Sequence, residues 1–205
     1  MRKLIRNSTV LITGGTGTFG SAFLEHILKF EPKEIRIFSR DEKKQYELQN
    51  KYNNYKKIKF CIGDIRNFDS IDKAMRNVDF VLHAAAMKQV PACEQNPMEA
   101  LKTNVLGSDN VLEASIKNKV KKVVCISTDK AVNPTSIMGI TKLYMEKIAL
   151  AKAKEQNHTK ICIVRFCNLF YSNGSVVPLF INQIKENKPL TITVPKMVRY
   201  FITIK

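Results

Sequence analysis

The chain has 205 residues, a length that suits one globular domain or slightly more. Its content of 44% hydrophobic and 8% aromatic residues is typical of a folded protein and excludes a disordered chain. The net charge of +16 comes from lysines scattered in pairs such as Lys43-Lys44 and Lys121-Lys122, without a helix-turn-helix, zinc-finger or RNA-binding signature, so we expect a solvated basic surface that favours anionic ligands and no nucleic-acid partner.

The first predicted elements are a strand, a glycine loop and a helix. Val10-Leu11-Ile12 is a short apolar run typical of a buried strand, and residues 21–30 have helical spacing with Phe23, Leu24, Ile27 and Leu28 on one face. The loop between them has the spacing Gly-x-x-Gly-x-x-Gly, which is typical of a dinucleotide-binding fingerprint; an ordinary glycine turn is the alternative. The candidate cofactor contacts in this loop are Gly14, Thr16, Gly17, Thr18, Phe19 and Gly20.

The second predicted strand, residues 34–38, leads into Ser39-Arg40-Asp41. At this position of a dinucleotide-binding fold an acidic residue binds the ribose 2′-hydroxyl, whereas an arginine accommodates a 2′-phosphate. Since Ser39 and Arg40 come before Asp41, we expect NADP as the cofactor. The alternative is that Arg40 is a solvated residue at the start of a helix.

Strands and helices continue to alternate along the chain. A third predicted strand, residues 60–65, ends with Asp64 and Ile65 near the expected adenine, and a fourth, residues 80–86, ends with the small residues Ala84, Ala85 and Ala86. The remaining predictions are a helix over 97–118, a strand over 122–126, a helix over 135–156 and a strand over 161–164. This order predicts an α/β fold with a doubly wound, Rossmann-like parallel sheet and a ligand site at the carboxyl ends of its strands.

The candidate catalytic residues follow the fifth predicted strand. Ser127-Thr128-Asp129-Lys130 comes first, and Met138-Gly139-Ile140-Thr141-Lys142 follows on a helix. The spacing is that of the Ser/Thr…Tyr-x-x-x-Lys pattern of a short-chain dehydrogenase/reductase, with methionine in the tyrosine position. An acid–base pair beside a nicotinamide favours proton removal and elimination over simple redox chemistry. The alternative for Asp129 and Lys130 is an ion pair in a surface turn.

The cysteines and the hydrophobic segments bear on the cellular setting. None of the five cysteines shows Cys-x-x-Cys spacing, so we expect free thiols, no metal site and a reducing cytoplasm. No apolar run is long enough to cross a bilayer, and the start of the chain shows no signal-peptide pattern, so we expect no membrane span.

Together these motifs resemble one family more specifically than the glycine loop does alone. The chain is similar to the nucleotide-sugar 4,6-dehydratases of the extended short-chain dehydrogenase/reductase family, in particular the configuration-inverting UDP-N-acetylglucosamine 4,6-dehydratases of polysaccharide and capsule biosynthesis. The resemblance runs from near the start to about Arg199. The matching pieces include the glycine loop, Ser39-Arg40-Asp41, Ala84-Ala85-Ala86-Met87-Lys88, Asn96-Pro97, Lys102-Thr103-Asn104 and Ser127-Thr128-Asp129-Lys130.

The resemblance implies a lyase with internal redox chemistry. NADP oxidises C4 of the sugar, a base removes the C5 proton, water leaves from C6, and C6 is then reduced. It implies Lys130 as the C5 base, Asp129 as the acid for the C6 hydroxyl, Thr128 as a hydrogen-bond partner of the 4-hydroxyl, and Lys142 as a nicotinamide-ribose contact whose charge lowers nearby pKa values. The other implied contacts are Lys88 with cofactor or substrate, and Glu94, Asn168 and Arg199 with the UDP-sugar.

The departures from the family pattern are equally specific. Cys167 stands where the family has a glycine, and family members continue well past Lys205. We therefore expect an NADP-binding domain over residues 1–168 and, over 169–205, the start of a substrate-binding part that is largely missing, with homo-oligomers formed when the protein is full length. Two alternatives stay open: an inactive, truncated NADP-binding remnant, and an epimerase or reductase, which would normally have tyrosine at position 138.

Overall fold

The computed structural model describes residues 2–204. Helices and strands alternate over most of this range. The helices are α1 Arg2–Ile5, α2 Thr18–Leu28, α3 Glu42–Lys51, α4 Phe68–Met75, α5 Val90–Gln95, α6 Pro97–Leu101, α7 Gly107–Lys117, α8 Ile137–Glu155 and α9 Val176–Lys185. The strands are β1 Thr9–Thr13, β2 Glu34–Ser39, β3 Ile58–Ile62, β4 Phe80–His83, β5 Lys122–Thr128, β6 Lys160–Phe166, β7 Asn168–Leu169 and β8 Phe201–Ile202.

The main sheet has the strand order β3-β2-β1-β4-β5-β6, and every neighbouring pair is parallel. The chain order reverses between β1 and β4, because β2 and β3 lie on one side of β1 and the later strands lie on the other. A crevice forms at such a point, outside the carboxyl ends of the strands, and ligands of doubly wound sheets bind there. The predicted Rossmann-like α/β fold is confirmed.

Two hydrophobic cores cover the faces of the sheet. Alternate residues of a strand point to opposite faces, so Leu11 packs with α4, α7 and α8, whereas Ile12 packs on the opposite side with α2 and α3. On α2, Leu24 and Ile27 are buried, and Phe23 and Leu28 pack against the same cluster, as the helical spacing predicts. The two layers hold the sheet rigidly and leave its carboxyl edge free for a site.

Three predicted elements differ from the structure. The predicted strands over 60–65 and 80–86 end earlier, at Ile62 and His83, because their last residues leave the ladder to build the carboxyl edge of the sheet. The predicted helix over 97–118 is interrupted by a π-helical segment, Lys102–Leu106, between α6 and α7. The wider turn places Asn104, which is fully buried, against the loop after β4 and against α8.

The last part of the described chain is more open. β7 and β8 form a separate two-stranded parallel sheet, and no residue of α9 is buried. Several apolar side chains of this part are exposed, among them Tyr200 at 78% and Val198 at 75%. Across the described residues, no helix combines the length and the apolar character that a bilayer crossing requires.

The first prediction concerns the packing of the glycine loop against α2. A Cβ on Gly20 would lie 2.5 Å from the Gly14 carbonyl oxygen and 2.6 Å from the Gly15 Cα, so Gly20→Ala forces backbone apart. We expect a loss of about 1–3 kcal/mol in the free energy of unfolding, measured by urea denaturation without cofactor. Gly17→Ala is the matched control, since its Cβ would meet only the Gly14 oxygen at 3.2 Å. Equal stability of the two variants would contradict this account.

Candidate active site

A cavity of about 1140 Å³ runs along the carboxyl edge of the main sheet. Nearly all the residues predicted from the sequence line it. From the cofactor set these are Gly14, Thr16, Gly17, Thr18, Phe19, Gly20, Ser39, Arg40, Asp64, Ile65, Ala84, Ala85, Ala86, Lys88 and Lys142. From the catalytic and substrate sets they are Thr128, Lys130, Asn168 and Arg199. The fold thus brings residues more than 150 positions apart in sequence into one space.

The glycine loop forms a tight cradle at one end of the cavity. Gly14 has a φ of +66°, and a Cβ there would lie 2.7 Å from the Ala85 backbone nitrogen, so only glycine fits this approach of two chain segments. α2 begins at Thr18, and its N-cap residue Gly17 makes no side-chain cap. The first N–H groups of α2 therefore remain available to an anion. A dinucleotide pyrophosphate fits such a cradle.

A chain of hydrogen bonds joins β1, which leads into this cradle, to β4 and α7. The Thr13 hydroxyl lies 2.7 Å from His83 Nδ1, and His83 Nε2 lies 2.9 Å from the Ser108 hydroxyl. The Thr13 oxygen also accepts the Ala85 N–H at 3.3 Å. Complete burial, with a smaller contribution from the charge of Lys142, lowers the pKa of His83 to about 3. His83 is therefore a neutral brace between β1, β4 and α7.

The end of β2 has a basic and hydroxylic character. The Ser39 and Thr16 hydroxyls are 2.9 Å apart, and the Arg40 guanidinium is 3.8 Å from the Asp64 carboxylate. Asp41 caps α3 by accepting the Lys44 N–H at 3.0 Å. Arg66 contacts the same carboxylate more closely, at 2.6 Å, and the Arg40 side chain is 59% exposed and lines the cavity. A phosphate on the adenosine ribose would find a cation here.

The candidate acid–base cluster lies where β5 ends. The Thr128 hydroxyl donates to Asp129 Oδ1 at 2.9 Å, and Lys130 Nζ donates to the same oxygen at 3.1 Å and to Asn168 Oδ1 at 2.9 Å. Partial burial raises the pKa of Asp129, but the hydrogen bonds from Thr128 and Lys130 outweigh it, and the pKa lies below its ordinary value. Asp129 is therefore ionised at neutral pH.

Met138 and Lys142 lie one turn apart on α8. Met138 is only 6% exposed and packs with Cys93 and Ala100, and its thioether brings no titratable group to the cavity that it lines. Lys142 is buried in the cavity wall, and burial lowers its pKa to about 8, although the neighbouring Cys125 and Glu146 favour the charged form. Lys142 thus presents a poorly solvated positive charge to whatever occupies the cavity.

Two of the predicted site residues lie elsewhere. Asp129 lines a smaller adjoining cavity, of about 340 Å³, which shares Lys130 and Arg199 with the main one. Glu94 is not among the described residues that line either cavity. Its carboxylate accepts the Ile137 N–H at 2.8 Å and so stabilises the first turn of α8. The substrate contact expected of Glu94 stays a prediction.

Sequence reasoning missed an ion network behind the cavity wall, in which the buried Glu146 is paired with the partly exposed Arg165. The Glu146 carboxylate accepts a hydrogen bond from the Ser127 hydroxyl and is paired with the Arg165 guanidinium at 2.5 Å and 2.9 Å. Partial burial raises the pKa of Glu146, but Arg165 and Ser127 outweigh it and lower the pKa. The available signal was an acidic residue four positions after Lys142 on the same helix face.

The family profile described as "Polysaccharide biosynthesis protein" matches residues 10–205. The chain belongs to this family. It is 56% identical over 204 residues to a UDP-glucose 4-epimerase of Rickettsia canadensis, and this match covers 97% of the chain and 60% of the relative. A UDP-glucose 4-epimerase of Rickettsia felis gives the same identity and coverage. The chain thus spans about 60% of the length of these relatives.

Solved structures agree with the fold of this polysaccharide biosynthesis family member. Pen from Bacillus thuringiensis is 45% identical with a TM-score of 0.96, covering 98% of this chain and 65% of that one. DesIV, a dTDP-glucose 4,6-dehydratase from Streptomyces venezuelae solved with NAD and TYD bound, has a TM-score of 0.85 at 22% identity, covering 96% of this chain and 68% of its own. At that identity the likeness extends to the fold alone.

The second prediction follows from the buried charge of Lys142. Because burial lowers the folded-state pKa from 10.5 to about 8, the unfolded chain binds this proton more tightly. The protonated lysine therefore costs stability below pH 8, and the cost disappears as the pH rises from about 8 to 10.5. We expect Lys142→Met to raise the free energy of unfolding at pH 7 by on the order of 1–3 kcal/mol in the absence of cofactor.

The control for this prediction is Lys147→Met, which removes an exposed lysine from the same helix. Both variants are compared with the parent by urea denaturation at pH 7 and at pH 10. The gain from Lys142→Met should shrink at the higher pH, whereas Lys147→Met should change little at either. A Lys142→Met variant that is less stable than the parent at pH 7 would show that the buried charge is compensated.

Proposed function

We propose that this chain carries the cofactor-binding and catalytic part of a nucleotide-sugar 4,6-dehydratase that acts on UDP-N-acetylglucosamine for surface polysaccharide biosynthesis. The observation that carries the proposal is the cluster of Thr128, Asp129 and Lys130, which places a hydroxyl, a carboxylate and an amine in contact beside the cavity. In this proposal residues 1–168 hold the cofactor and catalytic groups, and residues 169–205 begin the substrate-binding part.

The proposed cofactor is NADP. The cradle at Gly14 and the free N–H groups of α2 suit its pyrophosphate, Arg40 and Ser39 suit its 2′-phosphate, and Lys142 suits its nicotinamide ribose. When bound, the cofactor would accept a hydride from C4 of the sugar and return it to C6. The Asp41 carboxylate, the nearest acidic alternative for a ribose 2′-hydroxyl, is occupied as the cap of α3.

The residues of this chain supply the proton steps. Lys130, held by Asp129 and Asn168, would take the C5 proton once the C4 ketone has made it acidic. Asp129 would give a proton to the hydroxyl that leaves from C6. Thr128 would hold the 4-hydroxyl, and the charge of Lys142 would stabilise negative charge that develops nearby. The product is a 4-keto-6-deoxy sugar with inverted configuration at C5.

A nucleotide-sugar 4-epimerase is the second candidate, because the Rickettsia relatives at 56% identity carry that name. An epimerase oxidises and reduces C4 but moves no proton at C5 or C6, so it has no evident use for the Asp129–Lys130 pair. The two activities differ in product mass. A dehydratase product is lighter than the substrate by one water, whereas an epimerase product has the same mass.

Two further properties belong to the proposal. The free cysteines of the described chain suit a reducing cytoplasm. Ile140 and Tyr144 lie four residues apart on α8 and are 48% and 58% exposed, and such an apolar stripe suits self-association in a homo-oligomer of full length.

The third prediction concerns cofactor choice. NADP should bind more tightly than NAD, and Arg40→Ala should remove most of the difference, because a charge-assisted hydrogen bond contributes about 1.5–3 kcal/mol, or roughly ten- to a hundredfold in Kd. Calorimetric titration of the 205-residue chain with both cofactors measures this. The control is Lys43→Ala, an exposed lysine nearby on α3 that lies outside the cavity lining. Equal affinities of the parent chain for NADP and NAD would contradict the predicted preference for NADP.

The fourth prediction concerns the C5 base. Lys130→Ala should abolish exchange of the C5 proton with solvent deuterium and slow water loss by about 10²–10⁴-fold. The control Lys154→Ala removes an exposed lysine from α8. Mass spectrometry of UDP-N-acetylglucosamine incubated with NADP and enzyme reads both events. The assay uses the 205-residue chain and a form extended to the length of the Bacillus thuringiensis relative.

Three outcomes are informative. Product lighter by one water from the parent enzyme supports the dehydratase, and product of unchanged mass supports the epimerase. Deuterium at C5 at the parent rate in Lys130→Ala would assign the base to another residue. No product from either form with UDP-N-acetylglucosamine or UDP-glucose would favour a cofactor-binding protein without this activity.

A further inference from the structure

Met138 raises a chemical question about the start of the proposed reaction. C4 of the sugar can be oxidised only if its hydroxyl loses a proton, and the residue in the tyrosine position has no group that accepts one. Met138 is nearly buried within an apolar cluster with Cys93 and Ala100. Another group that reaches the cavity must therefore take the proton.

Two neighbouring groups are poorly suited to that task. The Ser127 hydroxyl is 2% exposed and already donates to Glu146, which Arg165 holds as a carboxylate. Lys142 has a pKa of about 8 and so is mostly protonated at neutral pH. Neither offers a free basic atom to a ligand in the cavity.

Thr128 has the geometry that Ser127 lacks. It lines the cavity, and its single hydroxyl proton is directed to Asp129 Oδ1 at 2.9 Å. A hydroxyl oxygen can accept two hydrogen bonds. The Lys130 backbone nitrogen is 3.3 Å from this oxygen, and its N–H donates one of these two hydrogen bonds. Among the described residues the structure shows no donor to the second position, so a substrate hydroxyl can donate there.

We propose that Thr128 and Asp129 form a proton relay that replaces the missing tyrosine. The 4-hydroxyl passes its proton to Thr128 Oγ1 as Thr128 passes its own proton to Asp129 Oδ1. The proton stored on Asp129 later returns through Thr128 to the hydroxyl that leaves from C6. This inference rests on the proposed dehydratase function and assigns Thr128 a catalytic role in it.

The steps balance. As the 4-hydroxyl loses its proton, the C4–H bond would break and its electron pair would leave as hydride, which a bound oxidised nicotinamide would accept, to give the C4 ketone. Lys130 then removes the C5 proton, the C5–H electrons form the C5–C6 double bond, and the C6–O bond breaks as that oxygen takes the stored proton and departs as water. A hydride returned to C6 and a proton added to C5 would complete the 4-keto-6-deoxy sugar and leave the nicotinamide oxidised again. Lys130 would release the proton that it took, to C5 or to solvent, and Asp129 would end as it began, ionised.

The relay also accounts for the ionisation of Asp129. At rest its pKa lies below the ordinary value, because the hydrogen bonds from Thr128 and Lys130 outweigh the effect of burial. A carboxylate in that state cannot protonate a leaving group. It acquires a proton only if an earlier step delivers one, and oxidation of C4 releases one proton for each one that water loss consumes.

The first test needs no substrate or cofactor. Carbon-13 NMR titration of the aspartate carboxyls in the 205-residue chain should show a higher pKa for Asp129 in Thr128→Val than in the parent, since the variant removes one donor and keeps the shape of the side chain. Thr128→Ser should keep the parent value. The titration of Asp41, which caps α3, should not change and serves as the internal control. An unchanged pKa of Asp129 in Thr128→Val would overturn the relay.

The second test measures the chemistry in the form of the enzyme that turns over. Thr128→Val should slow single-turnover reduction of the nicotinamide by about 10²–10⁴-fold with little change in substrate affinity, whereas Thr128→Ser should stay near the parent. With the 4-keto sugar and reduced cofactor supplied directly, no C4 oxidation delivers a proton to Asp129, so the parent should lose water slowly at neutral pH. Its rate of water loss should rise as the pH falls through the pKa of Asp129, and this rise should be absent from Thr128→Val and from Asp129→Asn. In the parent, the rate of C4 oxidation should fall as the pH drops through the pKa of Asp129. In Asp129→Asn the rate of C4 oxidation should not show this fall.

The outcomes separate the relay from the function on which it rests. A parent enzyme that releases water while Thr128→Val does so at the parent rate overturns the relay alone. A parent that forms no lighter product overturns the proposed dehydratase and, with it, the return of the proton to C6. A Thr128→Val variant impaired in oxidation but not in water loss shows that Asp129 reaches C6 without Thr128 and overturns the second half of the relay.

Discussion

The side chain of Asn104 fixes the distance between the two walls of the cavity. Its amide oxygen accepts the Met87 N–H at 2.8 Å, and its amide nitrogen donates to the Met87 carbonyl at 2.9 Å and to the Thr141 hydroxyl at 3.0 Å. Asn104 is fully buried, so breaking any of these bonds would leave a polar group without water, at about 1–3 kcal/mol each. Met87 follows the alanines that meet the glycine loop, and Thr141 precedes Lys142. One amide therefore sets where a cofactor cradle stands relative to the catalytic helix.

Several charged side chains lie behind the cavity wall that Asn104 positions. Lys142 and Glu146 lie one turn apart on α8 and are both buried, and Arg165 reaches Glu146 from β6. A buried ammonium beside a carboxylate that is itself neutralised by an arginine keeps its positive character toward the cavity. We expect the buried ammonium to lower the free energy of unfolding, as is common where function requires a poorly solvated charge. His83 shows the opposite solution, since it is equally buried but stays neutral and serves only as a hydrogen-bonding brace.

The sequence was sufficient for features that depend on neighbours along the chain. The glycine spacing, the alternation of strands and helices and the position of Thr128, Asp129 and Lys130 after β5 are local patterns. The strands and helices alternate as predicted, the glycine loop, Thr128 and Lys130 line the main cavity, and Asp129 lines the smaller cavity beside it. The sequence was insufficient where a side chain chooses between a distant and a local partner. Glu94 accepts a backbone N–H from the first turn of α8, a contact that the sequence did not predict. The pairing of Glu146 with Ser127 and Arg165 and the π-helical turn at Asn104 depend on packing across the sheet, which periodicity does not encode.

The π-helical segment between α6 and α7 also has a consequence for how this region can change in evolution. A π turn contains one more residue than the α turn that it replaces, so deletion of a single residue between Lys102 and Leu106 would restore a regular helix. The deletion would improve the backbone and rotate everything before it by about 100° relative to α7. Asn104 would then lose its hydrogen bonds to Met87, or α6 would lose its packing contacts with α8. A shortened helix of this kind would look like a harmless indel in a sequence comparison, yet it would misalign the whole cavity wall.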